Sequence, residues 1–281
     1  MIPTTFDYQR ATSIDDALAK LQAASGGKLI AGGHSLVPLM KLRLSEPTVL
    51  IDVARIPGLA GIKEKDGRIE IGACTTHHDV ASSALLRQVC PVLAETAADI
   101  GDPQVRNRGT LGGSLAHADP AADYPAAMLA LDAEIHMKGS KGWRKVKASD
   151  FFQGLFTVDL GPDEIIAGVQ FTPTRAAAYA KLHQRASHFA IVGVAAAVDV
   201  KGDVFQSARV GVTGATSHAV RLSAVEQALA GKPATKDTIA NASAAASVAD
   251  LNSDIHASDE YRRAMLKVFT QRALESALAR A

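Results

Sequence analysis

Ala31-Gly32-Gly33-His34-Ser35 and Thr110-Leu111-Gly112-Gly113-Ser114 are the two stretches on which the reading of this chain turns. Each carries a Gly-Gly pair beside hydroxyl residues. Paired glycines let backbone N–H groups approach an anion closely, because no Cβ intervenes and positive φ costs little. After the first pair, Ser35 and the start of a helix add donors and a favourable dipole. One such stretch reads equally well as a tight β–α turn. Two of matching type predict one extended anionic ligand clasped from two sides.

The flanking sequence sets the first stretch between a strand and a helix. Lys28 to Ala31 reads as the strand, and Leu36, Leu39, Met40 and Leu44 as one face of the helix, with Pro38 tolerated in its first turn. Upstream, Ser13 is a helix N-cap with Asp16 three residues on, and Ile14, Ala17, Leu18 and Leu21 form the apolar face that Gly26-Gly27 ends. Thr48 to Val53 is the next strand, so the opening unit is β-α-β around the glycines. Strand signals follow, with Ile69, Ile71 and Ala73 alternating after the turn pair Asp66-Gly67. Residues 81–100 read as helix in two pieces broken at Pro91, and 101–125 as a long loop that holds the second stretch. Asp123 before Pro125 reads as a helix start, and Ala133 to Lys138 as a strand. Beyond Thr172-Pro173-Thr174-Arg175 the composition shifts. Two strands, Ile191 to Val200 and Val204 to Val212, flank Lys201-Gly202-Asp203, and an Ala-rich helical remainder has its last helix starting at Ser258.

Composition narrows the function. Apolar residues make up 47% of the 281, charged residues 21% and aromatics 5%, as in a globular enzyme rather than a disordered or fibrous chain. Lys and Arg number 30 against 29 Asp and Glu, no basic excess for gripping nucleic acid. Two cysteines, Cys74 and Cys90, are too few for a disulfide framework or a four-cysteine cluster. Met1 to Asp7 lacks the pattern of a signal peptide, and the longest apolar run, Ala190 to Val198, is too short for a membrane span. A cytoplasmic protein is expected.

Other motifs fall away on spacing. Neither glycine pair has the three spaced glycines of a Rossmann turn, and no Gly-Lys-Ser/Thr follows for a P-loop. Gly33-His34-Ser35 suggests a nucleophile elbow, but Val37 replaces its second glycine. His77 and His78, adjacent on an expected strand, would face opposite ways and make poor partners for one metal. Asp102, Asp119 and Asp123 could accept from ligand hydroxyls, and Arg106 and Arg108 could offset phosphate charge. Each reads as readily as a turn former or a solvated charge.

With both stretches in hand, the sequence resembles the FAD-binding medium subunit of molybdenum hydroxylases, the group of carbon monoxide dehydrogenase and xanthine dehydrogenase. The likeness runs through Phe6-Asp7-Tyr8, Ala31 to Leu36, Ile71-Gly72-Ala73-Cys74-Thr75-Thr76, Gln104 to Gly113 and Asp119-Pro120-Ala121-Ala122-Asp123. It implies an α+β chain: a two-piece FAD-binding domain of the p-cresol methylhydroxylase type (1–56 and 57–174), then a smaller C-terminal α+β domain (175–281). It also implies non-covalent FAD. Lys28, Leu29, Ile30, Ala31, Gly32, Gly33, His34 and Ser35 would line its first side. Thr110, Leu111, Gly112, Gly113 and Ser114 would line the second, with Asp123, Ile165 and His183 as further contacts. The family usually has Asn where this chain has Ser114. By the same resemblance, no catalytic base is needed in the chain, and a molybdenum cofactor and iron–sulfur clusters belong to a molybdopterin large subunit and an iron–sulfur small subunit. Together these would form a dimer of heterotrimers that passes electrons through FAD to an external acceptor. The rival readings are a self-sufficient FAD oxidoreductase of the same fold and a flavin-free nucleotide-binding or assembly protein.

Overall fold

Local signals set the first unit. In the computed structural model, which describes residues 1–281, the Ser13 hydroxyl accepts from Asp16 N–H at 3.0 Å and starts a helix. The reciprocal carboxylate bond is displaced by one residue, since Asp16 accepts from Thr12 N–H rather than from Ser13. The chain runs β1 (Asp7–Arg10), α1 (Ile14–Ala23), β2 (Gly27–Ile30), α2 (Leu36–Lys41) and β3 (Val49–Asp52). The strands form a parallel sheet in the order β1-β3-β2. The opening is therefore one strand richer than the β-α-β reading, because β1 joins along β3. Its small core, with Ala17, Leu18 and Ile51, closes against Cys74 and Ile165 from the next unit.

That next unit begins with a hairpin, β4 (Ile62–Lys65) and β5 (Arg68–Gly72), turned by Asp66 and Gly67 at φ +51° and +72°. The helical stretch after it starts earlier and breaks more often than the sequence suggested. It forms α3 (His77–Ser82), α4 (Ala84–Val89) and α5 (Pro91–Ala98). The break at Pro91 is present, but Ser83 makes a second one by capping α4 through Leu86 N–H. His77 and His78 thus sit on a helix, not a strand. The region read as a long loop contains α6 (Pro103–Arg106) and α7 (Leu111–His117), and α8 (Tyr124–Ala130) follows. Then come β6 (Glu134–Gly139), β7 (Gly142–Lys147), α9 (Ala148–Phe151), β8 (Phe152–Gly154), β9 (Thr157–Val158) and β10 (Glu164–Phe171). The main sheet is antiparallel, in the order β4-β5-β10-β6-β7, so the last strand of the unit lies at its centre.

The remainder is an antiparallel sheet, β11 (Ala177–His183), β12 (Ala190–Lys201), β13 (Val204–Thr213) and β14 (Val220–Arg221), with α10 (Ser223–Leu229), α11 (Lys236–Ala244) and α12 (Asp259–Leu278). Gly202 and Asp203, at φ +58° and +57°, turn β12 into β13. α12 packs on β11 and β12, while α5 and α8 of the preceding unit meet the same sheet. A Cβ on Gly211 of β13 would collide with Ala126 O of α8. That closeness fixes the N-terminus of α8, which carries Asp123. No helix is long and apolar enough to cross a membrane.

Candidate cofactor site

A cavity of about 470 Å³, within the size range of cofactor sites, opens where connections of the three larger sheets meet. Lys28 to Ser35 line one side of it; Thr110, Gly112, Gly113 and Ser114 line another; Asp123 and Ile165 close it, with Ser187 to Phe189 contributed by the C-terminal unit. Leu111 and His183, expected as contacts, are not on this wall. Leu111 is fully buried in the core, and the His183 ring instead meets Asp99 at 2.7 Å and stacks edge-on against His188.

The two glycine stretches differ in what they offer. In the first, Gly33 takes φ +75°, a conformation that a side chain resists. A Cβ on Gly32 would strike the Arg108 carbonyl. Gly33 O accepts from Val37 N–H at 2.9 Å as α2 begins. The N–H groups of Gly32, Gly33, His34 and Ser35, by contrast, donate to no protein acceptor. Four successive unpaired donors facing a cavity fit the pyrophosphate of a dinucleotide.

The second stretch is not a matching loop but the first turn of α7. Thr110 is its N-cap, its hydroxyl accepting from Gly113 N–H at 3.2 Å. Leu111 N–H donates to Thr75 O at 3.0 Å, Gly112 N–H to Ala73 O at 2.8 Å and Ser114 N–H to Thr110 O at 3.0 Å. Four of its five amides are spent inside the protein, all but that of Thr110. Gly112 is needed for packing, since a Cβ there would collide with Ala73. What remains for a ligand is the Thr110 N–H and the pair of hydroxyls, Thr110 and Ser114.

Asp123 occupies the N-cap position of α8 without making the cap bond. Its carboxylate, 4% exposed, instead accepts from Tyr179 OH at 2.5 Å and pairs with Lys181 Nζ at 2.8 Å. Burial pushes its pKa up to about 6 against the opposing pull of Lys181 and Tyr179, so it is an anion near neutral pH. Lys181 also donates to Asp99 O at 2.8 Å. Tyr179, Lys181 and His183 therefore lie on one face of β11 and bind two carboxylate residues of the preceding unit. Lys181 was missed in the sequence. Its one signal was a lysine inside the otherwise apolar run Ala177 to Leu182.

Of the remaining charged candidates, Asp102, Arg106 and Asp119 serve the backbone. Asp102 caps α6 through Val105 N–H at 2.8 Å. Arg106 donates to Ile100 O and Gly101 O, both at 2.9 Å. Arg108 does not line the cavity; Asp119 does, while accepting from Ala121 N–H at 2.9 Å. Neither arginine reaches the cradle, so Lys28 is the one Lys or Arg on the cavity wall. Both thiols are buried and free, and burial pushes Cys74 up to about 11 and Cys90 up to about 12. The spare donors, the glycine clearances and the two hydroxyls fit FAD.

Known proteins bear on the chain as a whole. Residues 4–175 match the family of the FAD binding domain in molybdopterin dehydrogenase, and 177–277 that of the CO dehydrogenase flavoprotein C-terminal domain. The chain is 38% identical to the carbon monoxide dehydrogenase medium chain of Hydrogenophaga pseudoflava, across 100% of this chain and 99% of that one. It is 40% identical to subunit alpha of the 6-hydroxypseudooxynicotine dehydrogenase complex of Paenarthrobacter nicotinovorans, across 100% and 97%. Among solved structures, it superposes with a TM-score of 0.96 at 39% identity, over the whole of both chains, on carbon monoxide dehydrogenase from H. pseudoflava lacking the Mo-pyranopterin moiety of its cofactor. The same comparison with quinoline 2-oxidoreductase of Pseudomonas putida 86 gives 0.93 at 31%, over 99% of each chain. By family, sequence and fold alike, the chain belongs to the FAD-binding medium subunits of the molybdenum hydroxylases.

Proposed function

We propose that this chain is the electron exit of a molybdenum hydroxylase, working as a dimer of heterotrimers in the cytoplasm. It receives electrons from iron–sulfur clusters of a small partner subunit and releases them to an external acceptor, while substrate hydroxylation takes place at a molybdenum cofactor in a large subunit. Bound FAD supplies the redox chemistry. The chain's own task is to hold that group. Gly32 to Ser35 donate backbone N–H groups to the pyrophosphate, with Lys28 to Ala31 leading into them. Thr110 and Ser114 supply hydroxyls from the other side, and Asp123 a fixed carboxylate. Ile165 lends apolar contact from β10. Residues 1–56 and 57–174 form the two halves of the FAD domain, and 175–281 the unit whose β11 anchors Asp123.

The observation that carries this reading is the run of unpaired N–H groups at Gly32 to Ser35 on the cavity wall. Purified alone, the chain is expected to be yellow, with about one FAD that acid precipitation releases entirely. Dithionite should bleach it, whereas purines and aromatic heterocycles should not until both partner subunits are added. Rapid bleaching by substrate without partners would instead make it a self-sufficient oxidoreductase.

A further inference from the structure

We propose that His77, which neither glycine stretch contains, is a further cofactor-binding residue whose imidazole donates from Nε2 to the FAD pyrophosphate. The inference rests on the cavity being the FAD site. His77 opens α3, and its backbone N–H donates to Gly109 O at 2.9 Å. Its ring folds over the same residue, for a Cβ on Gly109 would lie 2.5 Å from Nε2. Gly32 presses on Gly109 too: a Cβ there would lie 2.9 Å from Gly109 Cα. A single glycine therefore separates the imidazole from the unpaired donors of the first stretch.

The ring's two nitrogens are placed differently. Nδ1 is sealed from solvent and has no partner. The centroid of the neighbouring Tyr124 ring lies 5.3 Å from that of the imidazole, and the Tyr124 hydroxyl is likewise buried and unpaired. Nε2 also has no protein partner, but it is not sealed in, and His77 lines the cavity. An N–H buried without an acceptor is costly, so the neutral ring carries its proton on Nε2. Burial first, then the neighbouring His34 and Arg106, hold the ring's pKa down to about 4. A neutral donor with no partner in the protein therefore points into the cavity beside the anion cradle. Packing alone gives no reason for an imidazole here, because a phenyl ring would leave no nitrogen unpaired.

The test is FAD titration of the chain stripped of flavin, followed by quenching of flavin fluorescence. His77→Phe keeps the ring and removes the donor, and should raise Kd about tenfold. His77→Gln returns an N–H near the Nε2 position and should recover affinity to within about threefold of the parent. Near-UV circular dichroism and thermal unfolding establish that each variant is folded. A folded His77→Phe chain with parental Kd would overturn the inference, and so would equal losses in both variants, which would make the residue a packing element. If the parent chain itself bound no FAD, the cofactor reading would fall and His77 with it.

Discussion

The two Gly-Gly stretches share their residue types and differ in their physics. At Gly32 to Ser35 the backbone is left with free donors, and the glycines serve a positive φ and a backbone contact. At Thr110 to Ser114 the same composition starts a helix whose donors after Thr110 are already taken, and Gly112 is there to let α7 lie against Ala73. On the proposed reading, the first stretch meets an anion with backbone and the second mainly with side chains. A Gly-Gly pair in a sequence therefore reports a close approach without saying what approaches. In one segment it is a carbonyl beside the cavity, in the other a neighbouring strand end.

Gly32→Ala should break the molecule at the point where the two regions touch. Its Cβ would strike the Arg108 carbonyl, a backbone atom with no rotamer to yield. A loss of about 3 kcal/mol is expected, the upper end for overpacking, seen as a lower Tm together with loss of bound flavin. A variant of parental stability would mean that the two stretches are not pressed together.

The pH dependence of stability probes the support beneath Gly109. His77 titrates near 4 in the fold, against an ordinary value of 6.5. The unfolded chain binds the proton more tightly, so the neutral ring contributes stability that is fully present above about 6.5 and lost as pH falls toward 4. Between pH 7 and pH 5 this one group should remove about 2 kcal/mol. Denaturant unfolding of the parent and of His77→Gln at the two pH values isolates it, because the variant should lack that share of the acid loss. Identical slopes would show that the ring is not buried as described.

Gly33→Ala should separate flavin binding from folding. Holding a non-glycine residue at φ +75° costs roughly 1–2 kcal/mol, and relaxing that strain would turn the unpaired N–H groups away from the cavity. The chain should stay folded while its FAD occupancy drops. Gly113 offers the contrast. Its Cβ would meet only the Thr110 hydroxyl, at 2.8 Å, so Gly113→Ala should disturb the cap more than the cradle.

Most of the fold was legible where a local signal had a local cause. Ser13 and Ser258 cap the helices they were read to cap, Pro91 breaks a helix, and Asp66-Gly67 and Gly202-Asp203 turn hairpins. α7 was hidden because two glycines inside seven residues argue against a helix, each costing about 1 kcal/mol. Leu111 and Leu115, both fully buried, supply the packing that overrides it. α3 was hidden by its histidines, which continue the alternation of Ile69, Ile71 and Ala73, although Thr76 with Asp79 three residues on is a capping pair. On the cavity wall, residues of both glycine stretches and Asp123 could be named from sequence. Lys181 could not, because its partners lie on other elements far along the chain. His183, two residues along the same strand face, was named as a flavin contact from the family resemblance, and its ring meets Asp99 instead.

The smallest effect sharpens the contrast most, because it asks whether the second stretch binds by side chain at all. The Ser114 hydroxyl makes no hydrogen bond within the protein and lies on the cavity wall, while its N–H is committed to Thr110 O. Ser114→Ala therefore removes nothing from the fold and one donor from the site. It should weaken FAD by about 0.5–1.5 kcal/mol, the net worth of one hydrogen bond, with Tm of the flavin-free chain unchanged. Ser114→Asn restores an amide at that position and should bind at least as well as the parent. A matched pair of affinities for the Ala and Asn variants would remove Ser114 from the site, leaving Thr110 as the one contributor from that stretch, whereas a loss confined to Ala would establish that the helix start binds the cofactor through side-chain oxygen.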